Sequence, residues 1–217
     1  MIFKGIKAML PITTGIIPFG LIMGTVSANA KIDVIQTMGM NVLVFAGAAQ
    51  LAAIDLMTQN TSSFVVVSTG LIINLRMMLY SAAFSPVVRN SNFLTKSLSA
   101  YFLTDQSYSV LVANERQLHN QKDKLNFYLG ASFCMFGVWQ ISVFLGFLFG
   151  NFAPASLSLD YAVPMSFVAL VMPTLKNKTY IYVALTAAVT SIFLKTLPYN
   201  LGLLISSFLA ISLGTLL

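Results

Sequence analysis

Apolar stretches long enough to cross a lipid bilayer follow one another along this chain, separated by short polar connections. The hydrocarbon core of a bilayer is about 30 Å thick and requires roughly 20 apolar residues per helical crossing. Only 8% of the 217 residues are charged, against about 25% in an ordinary soluble domain. The sequence therefore predicts an all-α, multi-pass integral membrane protein of the cell membrane.

The length allows about seven to eight hydrophobic helical segments, and we expect residues 1–217 to form one transmembrane domain. The approximate bounds of the apolar stretches are 10–28, 38–57, 64–84, 97–113, 126–150, 159–174, 180–194 and 198–216. The basic start, the apolar stretch and Ala28-Asn29-Ala30 also resemble a cleavable signal peptide. Pro11 and Pro18 interrupt that stretch, which favours retained membrane structure.

The first and fourth segments depart from a simple apolar helix. The first contains Pro11, Gly15, Pro18, Gly20 and Gly24, and this density of helix breakers favours an interrupted helix. The fourth, 97–113, carries so many tyrosine, serine, threonine and acidic or amide side chains that it is too polar to face lipid. We therefore expect both segments to be broken or re-entrant.

The basic residues favour the re-entrant arrangement over eight simple crossings. If the first and fourth segments return to the side from which they enter, ten of the twelve Lys and Arg residues fall on the inner side. The other two are Arg76, within the third segment, and Lys195, on the outer side. The connections 58–63 and 151–158 then lie outside, and neither contains Lys or Arg. Eight simple crossings give a weaker bias. The re-entrant arrangement also yields two successive units of one broken segment and two spans, as in some secondary transporters.

Arg76 lies inside the most continuous apolar run, 64–84. An arginine at the centre of a membrane helix costs about 2.5–3.5 kcal/mol on insertion scales, so a partner or water must compensate. Thr69, Arg76 and Tyr80 fall on one narrow stripe of the helix. Arg76 is therefore interpreted as an ion-pair partner joining two helices, as a substrate ligand, or as both.

Asp105 is the candidate counter-charge, and it shares a helical stripe with Tyr101 and Tyr108. An intramembrane carboxylate can accept a proton or stabilise a cation. Alternatively, Thr104 and Asp105 cap a helix at a re-entrant turn.

Two other features have either a structural role or a role in binding a ligand. Gln50 is an amide within the small-residue run 46–53, whose default role is helix packing, and it must find a hydrogen-bond partner on another helix or on a ligand. An interrupted first segment would free backbone N–H groups near Pro18 and Gly20, and these suit a carboxylate.

The sequence contains no pattern that indicates an enzyme or a cofactor. Cys134 and His119 are the only residues of their types, so they cannot build a disulfide framework or a metal cluster alone. No phosphate-binding loop, paired-histidine zinc motif or serine nucleophile elbow is present. The basic residues are scattered, which argues against nucleic acid as a partner.

Four short strings, in order, resemble the AzlC family over nearly the whole chain: Pro18-Phe19-Gly20, then 45–50 (FAGAAQ), 74–80 (NLRMMLY) and 103–106 (LTDQ). Members are large subunits of two-component exporters of branched-chain amino acids, and each works with a small AzlD-type membrane subunit. The resemblance implies export of leucine, isoleucine or valine, driven by an ion gradient, from a homo- or hetero-oligomer in the lipid bilayer.

For individual residues, the resemblance and the patterns above together predict a binding site and a coupling residue. The expected substrate ligands are Arg76, Gln50, Pro18, Gly20, Asn74 and Tyr80. Asp105 is expected to act in charge or proton coupling. Gln106 departs from the acidic residue expected there in many members, which argues against a two-carboxylate coupling scheme. The alternative function is the membrane-spanning subunit of an ATP-driven amino acid transporter, which requires a separate ATPase.

Overall fold

A computed structural model describes residues 1–150, 175, 177–195 and 201–216. The chain forms two compact units, Met1–Ser166 and Phe167–Leu217, and each is considered by itself. All regular structure in the described ranges is helical, which confirms the all-α prediction. The predicted sixth segment, 159–174, lies outside the described residues.

The described part of the first unit contains α1 (Ile2–Asn29), α2 (Val34–Leu43), α3 (Gly47–Thr58), α4 (Ser63–Asn74), α5 (Arg76–Val88), α6 (Phe93–Tyr101), α7 (Asp105–Ala113), a 3-10 helix (Glu115–Gln117) and α8 (Gln121–Gly150). Three described stretches are long and apolar enough to cross a membrane, namely Ile2–Asn29, Ser63–Val88 and Gln121–Gly150. α4 and α5 share one stretch because Leu75 between them keeps right-handed helical angles. The predicted number of seven to eight segments is not confirmed.

The prediction that the first segment is broken is wrong, because α1 is continuous with Pro11 and Pro18 inside it. Both prolines lie on the exposed side of α1, whereas Gly20 and Gly24 are buried. The glycines therefore permit close helix packing instead of breaking the helix. Packing against α8 holds α1 together despite the two prolines.

α1 and α8 are parallel and in close backbone contact. A Cβ atom added at Gly5 would overlap the carbonyl oxygen of Phe127, and one added at Gly24 would overlap that of Val143. Contacts thus advance in the same direction along both helices. The two helices start at one end of the unit, which also holds Lys4 and Lys122. By the positive-inside rule we call this the inner end.

α6 and α7 form a hairpin, the inner hairpin, that starts and finishes at the inner end. Asn90, just before α6, donates its side-chain N–H to Gln121 Oε1 at 3.1 Å. After α7, Lys124 donates to Glu115 Oε1 at 2.5 Å. Both ends of the hairpin therefore contact the first turn of α8. The fourth segment is therefore broken at 102–104, as predicted, and both its ends lie at one end of the unit.

The tip of the inner hairpin, residues 102–104, reaches the middle of α8. Thr104 Oγ1 lies 3.4 Å from the sulfur of Met135, which is about 21 Å along α8 from Gln121 at the usual helical rise. Thr104 also caps α7, because its hydroxyl accepts a hydrogen bond from the backbone N–H of Ser107 at 3.2 Å. The tip therefore lies level with the middle of α8.

α2 and α3 form a second hairpin, the outer hairpin, which the sequence did not reveal. α2 follows the outer end of α1, and Asn41 in α2 donates to Gln140 Oε1 at 2.7 Å. α3 then packs along α4. Since Gln121 Nε2 donates to the Pro86 carbonyl oxygen at 3.0 Å, the 63–88 stretch finishes at the inner end and Ser63 lies at the outer end. The broken segments are thus the second and fourth, not the first and fourth.

This order of spans and hairpins places the connection 58–63 at the outer end, as expected. The connection 151–158 lies outside the described residues. Through residue 150, Lys31 is at the outer end, Arg76 is at mid-depth, and the remaining basic residues are at the inner end. The described part of the first unit therefore repeats a long helical stretch followed by a hairpin, and the second repeat runs in the opposite direction to the first.

The second unit contains α9 (Lys178–Phe193) and α10 (Leu201–Leu216). These helices are antiparallel, because Gly202 lies against the carbonyl group of Leu194 and a Cβ at Gly214 would be 2.8 Å from Val183 Cγ2. They correspond to the predicted seventh and eighth segments.

Candidate functional site

The tips of the two hairpins meet in a cluster of aromatic rings, which we call the tip cluster: Phe45, Tyr101, Phe102 and Phe136. Phe45, at the outer tip, lies with its ring centroid 5.0 Å from that of Phe136 in α8. The Tyr101 hydroxyl donates to the carbonyl oxygen of Val42 at 2.5 Å. Phe45 has φ of 43°, a left-handed conformation that is strained for a bulky residue.

A cavity of about 530 Å³, the central cavity, lies beside the tip cluster. Its wall comprises the outer tip at 44–46, the α4–α5 region with Asn74 and Met77, and the inner tip with Tyr101 and Leu103. The wall is mostly apolar. Asn74 supplies a buried side-chain oxygen that has no hydrogen-bond partner within the described residues. The central cavity therefore combines an apolar surface with unfilled hydrogen-bonding capacity.

One end of the central cavity suits a negative charge. Ala46, in the cavity wall, is the N-cap of α3 and makes no side-chain cap hydrogen bond. The first backbone N–H groups of a helix have no partner within the helix and carry a partial positive charge. The α7 N-terminus differs, since Thr104 caps it. Of the two helix N-termini at the hairpin tips, the α3 N-terminus at Gly47 is therefore the one without a side-chain cap.

Arg76 and Asp105 form an ion pair beside the tip of the inner hairpin. Arg76 Nη1 lies 3.7 Å from Asp105 Oδ2, and the side chains are 41% and 33% exposed. The rings of Tyr80 and Tyr108 pack next to the pair in a tilted arrangement, with ring centroids 5.5 Å apart. The predicted juxtaposition of the two charges is present, and it joins α5 to α7. Neither charge lines the central cavity.

The alternative role of Asp105 as a helix cap is wrong in detail. Thr104 is the N-cap, and Asp105 is the first residue of α7. A carboxylate in the first turn of a helix is still stabilised by the positive end of the helix dipole. Asp105 therefore interacts favourably both with Arg76 and with its own helix.

Gln50 is 1% exposed and lies in a network of buried polar side chains, outside the lining of the central cavity. Its amide N–H donates to Asn41 Oδ1 at 3.4 Å. The same Asn41 oxygen accepts from the Trp139 indole N–H, and Asn41 donates to Gln140. Gln50 thus finds its partner on another helix, although its own oxygen has none within the described residues.

Asn41 and Gln140 were missed by the sequence analysis. Each is an amide inside an apolar segment, which is the signal that singled out Gln50. Applied to every amide, that signal would have identified the network.

The expectation of free backbone N–H groups at Pro18 and Gly20 is wrong, because α1 is continuous there. Pro18 is exposed. A Cβ at Gly20 would lie 2.6 Å from Ser142 Cβ, so Gly20 is a contact with α8. The free helix end that the first segment was expected to provide occurs instead at α3.

The described residues contain no group of three or more His, Cys, Asp or Glu side chains that could hold a metal ion. Cys134 is a free, half-buried thiol in α8.

Comparison with known proteins identifies relatives along most of the chain. The family described as AzlC protein matches residues 11–153. An uncharacterized membrane protein of Archaeoglobus fulgidus is 27% identical over 186 residues, covering 82% of this chain and 78% of the relative. The inner membrane protein YgaZ of Escherichia coli strain K12 is 20% identical over 203 residues, covering 90% and 82%.

A further relative is an uncharacterized membrane protein of Helicobacter pylori strain J99, 25% identical over 174 residues, which are 78% of this chain and 74% of the relative. No solved structure matches the chain. The family match spans well over half of the chain and includes both hairpins and the central cavity. The chain therefore belongs to the AzlC family of membrane proteins.

Proposed function

We propose that this chain is the large subunit of a two-component secondary transporter that exports leucine, isoleucine and valine across the cell membrane. The central cavity carries this proposal. It lies at mid-depth between the tips of two hairpins that enter from opposite ends. Secondary transporters built from inverted repeats bind their substrates near the membrane midplane, at the ends of broken helices.

The chemistry of the central cavity fits an apolar amino acid. Its volume of about 530 Å³ is within the range of about 300–1,000 Å³ typical of small-molecule sites. The N-terminus of α3 receives the carboxylate, and Asn74 and Tyr101 supply hydrogen bonds. Met77 and Leu103 surround the side chain. Because methionine is flexible, this wall adapts to the different branching of leucine, isoleucine and valine.

Apolar burial also gives the expected selectivity. Each buried CH₂ group contributes about 0.8 kcal/mol. Leucine has three more carbons than alanine, so the central cavity prefers leucine by about 2.4 kcal/mol, or roughly fiftyfold.

We infer that the Arg76–Asp105 pair couples transport to an ion gradient. Arg76 directly precedes Met77, and Asp105 lies two residues after Leu103, so both charges are close in sequence to residues of the cavity wall. When Asp105 takes up a proton, the pair loses its attraction and α5 separates from α7. The wall of the central cavity then rearranges. Arg76 and Tyr80 act on the substrate through this rearrangement.

A small AzlD-type subunit completes the proposed transporter. The small residues of α3 form only part of a docking surface for this subunit, since Ala49 is only 2% exposed and already packs within the chain. α4 has no buried residue. Its apolar side chains, such as Phe64 and Leu71, are available to the subunit or to lipid.

The test is counterflow of labelled leucine in vesicles that contain this chain with the small subunit. Met77→Trp fills the central cavity and should abolish counterflow. Leu79→Trp, at a 75% exposed position outside the cavity, is the matched control and should retain it. Equal counterflow in the two variants would place the substrate elsewhere. A requirement for ATP and a copurifying ATPase would favour the ATP-driven alternative.

A further inference from the structure

A second cavity of about 540 Å³, the inner cavity, lies between α5 and α6 toward the inner end. Its inner part is lined by Pro86, Arg89 and Lys96. Gln121 Nε2 donates to the carbonyl oxygen of Pro86, which places this part level with the first turn of α8. The deeper part is lined by Ser81, Ala100 and Leu103, and the same three residues line the central cavity.

We propose that the inner and central cavities form one access path from the inner face of the membrane, and that Arg89 and Lys96 attract the substrate carboxylate to its mouth. The identity of the substrate rests on the proposed function. The path itself rests on the shared wall at Ser81, Ala100 and Leu103.

The charges along the path support this direction of entry. The ion pairs among the described residues are Arg76–Asp105 and Lys124–Glu115, and neither includes Arg89 or Lys96. No acidic residue lines the inner cavity. The positive-inside rule accounts for basic residues anywhere at this end, but it does not require two of them to line one cavity. An anionic group meets positive charge at the mouth and the uncapped α3 N-terminus in the central cavity.

The tip cluster blocks access to the central cavity from the outer end. Phe45 is 6% exposed and packs against Phe136, while the Tyr101–Val42 hydrogen bond ties the two tips together. In the proposed path the tip cluster therefore separates the central cavity from the outer end, and the path leads to the inner end, where an exporter collects its substrate.

The path can be tested without knowing the substrate. In a Cys134→Ala background, Ser81→Cys should react with a membrane-impermeant thiol reagent in inside-out vesicles and stay unreacted in right-side-out vesicles. Leu79→Cys lies on the same helix, outside both cavities, and should react in neither. Labelling after denaturation normalises for protein amount. Reaction of Ser81→Cys from the outer side, or from neither side, would overturn the path.

The role of the two cations requires a kinetic measurement. The double variant Arg89→Gln/Lys96→Gln should raise the KM for leucine on the inner side by about fivefold, the upper range for an exposed charge interaction, and leave the maximal rate unchanged. Lys7→Gln/Lys122→Gln removes two charges at the same end outside the cavity and should leave KM unchanged. An equal KM in both double variants would overturn the assignment.

An anionic lipid headgroup could occupy the same cations, so the lipid is varied. The KM difference should persist in vesicles of phosphatidylcholine alone. If it appears only when phosphatidylglycerol is added, Arg89 and Lys96 bind lipid and their proposed role is wrong. The labelling result stands even if the chain proves to transport another solute, so failure of the path and failure of the proposed function are distinguishable.

Discussion

Tyr101, the last residue of α6, donates a hydrogen bond from its hydroxyl group to the backbone carbonyl oxygen of Val42 at 2.5 Å. This bond links the two hairpins, which enter from opposite ends of the first unit. Tyr101→Phe keeps the ring and removes this bond. We expect a loss of about 1 kcal/mol of stability and new labelling of Asn74→Cys by an impermeant reagent from the outer side. Unchanged labelling would show that the bond does not hold the tips closed.

The ion pair of Arg76 and Asp105 should be required for export. Arg76→Ala and Asp105→Asn should each reduce gradient-driven leucine export by about tenfold or more, or ~1.4 kcal/mol, per amount of protein in the membrane. Because both side chains are partly exposed, folding should suffer less than in a fully buried pair.

Arg76→Lys separates charge from geometry, since an ammonium retains the charge and lacks the planar fork of arginine. We expect this variant to fold normally and export more slowly. Normal coupled export by both Arg76→Lys and Asp105→Asn would reduce the pair to a structural contact.

Replacing glycines of α1 with alanine should have opposite effects on thermal stability at Gly15 and at Gly24. Alanine is favoured over glycine in a helix by about 1 kcal/mol, so Gly15→Ala, with no atom within 4 Å of the new Cβ, should preserve or raise the melting temperature in detergent. Gly24→Ala should lower it, because the new Cβ overlaps the Val143 carbonyl oxygen and separates α1 from α8. Equal shifts in the two variants would contradict the packing described for α1 and α8.

The network around Asn41 offers a second matched comparison. Asn41→Leu leaves Gln50, Trp139 and Gln140 without their shared partner, and each buried unpaired group costs about 1–3 kcal/mol. On the same helix, the hydroxyl of Thr37 is buried with no hydrogen-bond partner within the described residues. Thr37→Val should therefore be neutral or stabilising. Thermal unfolding of both variants gives the comparison, and a Thr37→Val protein as unstable as Asn41→Leu would refute it.

Topology can be checked with single cysteines in a Cys134→Ala background. Thr61→Cys should be labelled only from the outer side and Asn120→Cys only from the inner side. We also expect Ala155→Cys to be labelled from outside, because its connection contains no Lys or Arg. Labelling of Thr61→Cys and Ala155→Cys from opposite sides would restore eight simple crossings.

The sequence was informative where a polar residue interrupts apolar surroundings. Such residues are costly in a membrane, so Arg76 and Asp105 required each other or water, and the fourth segment required protection from lipid. Their pairing at 3.7 Å and the re-entrant inner hairpin follow from this constraint. No similar constraint indicated which residues line the central cavity, because Met77 and Leu103 resemble any other apolar residues in the sequence.

Helix breaks were harder to predict, because local composition does not determine them. Pro18 lies within a continuous helix that is stabilised by its neighbour, whereas the chain breaks at Phe45, which is neither proline nor glycine. Ring contacts with Phe102 and Phe136 hold that break in place, and these partners are distant in sequence. The spacing of Gly20 and Gly24, four residues apart, did carry a packing signal that the breaker interpretation overlooked.

The parallel contact between α1 and α8 determines when this protein can assemble during synthesis. Thr25 donates to the carbonyl oxygen of Gly146, a residue 121 positions later in the chain. At about 5–20 residues per second, a ribosome needs on the order of ten seconds to make the intervening chain. During that interval the glycine face of α1 is in the membrane without its partner. α1 therefore completes its packing only after α8 has been synthesised, and a chain stalled before Gln121 leaves the glycine face of α1 unpacked.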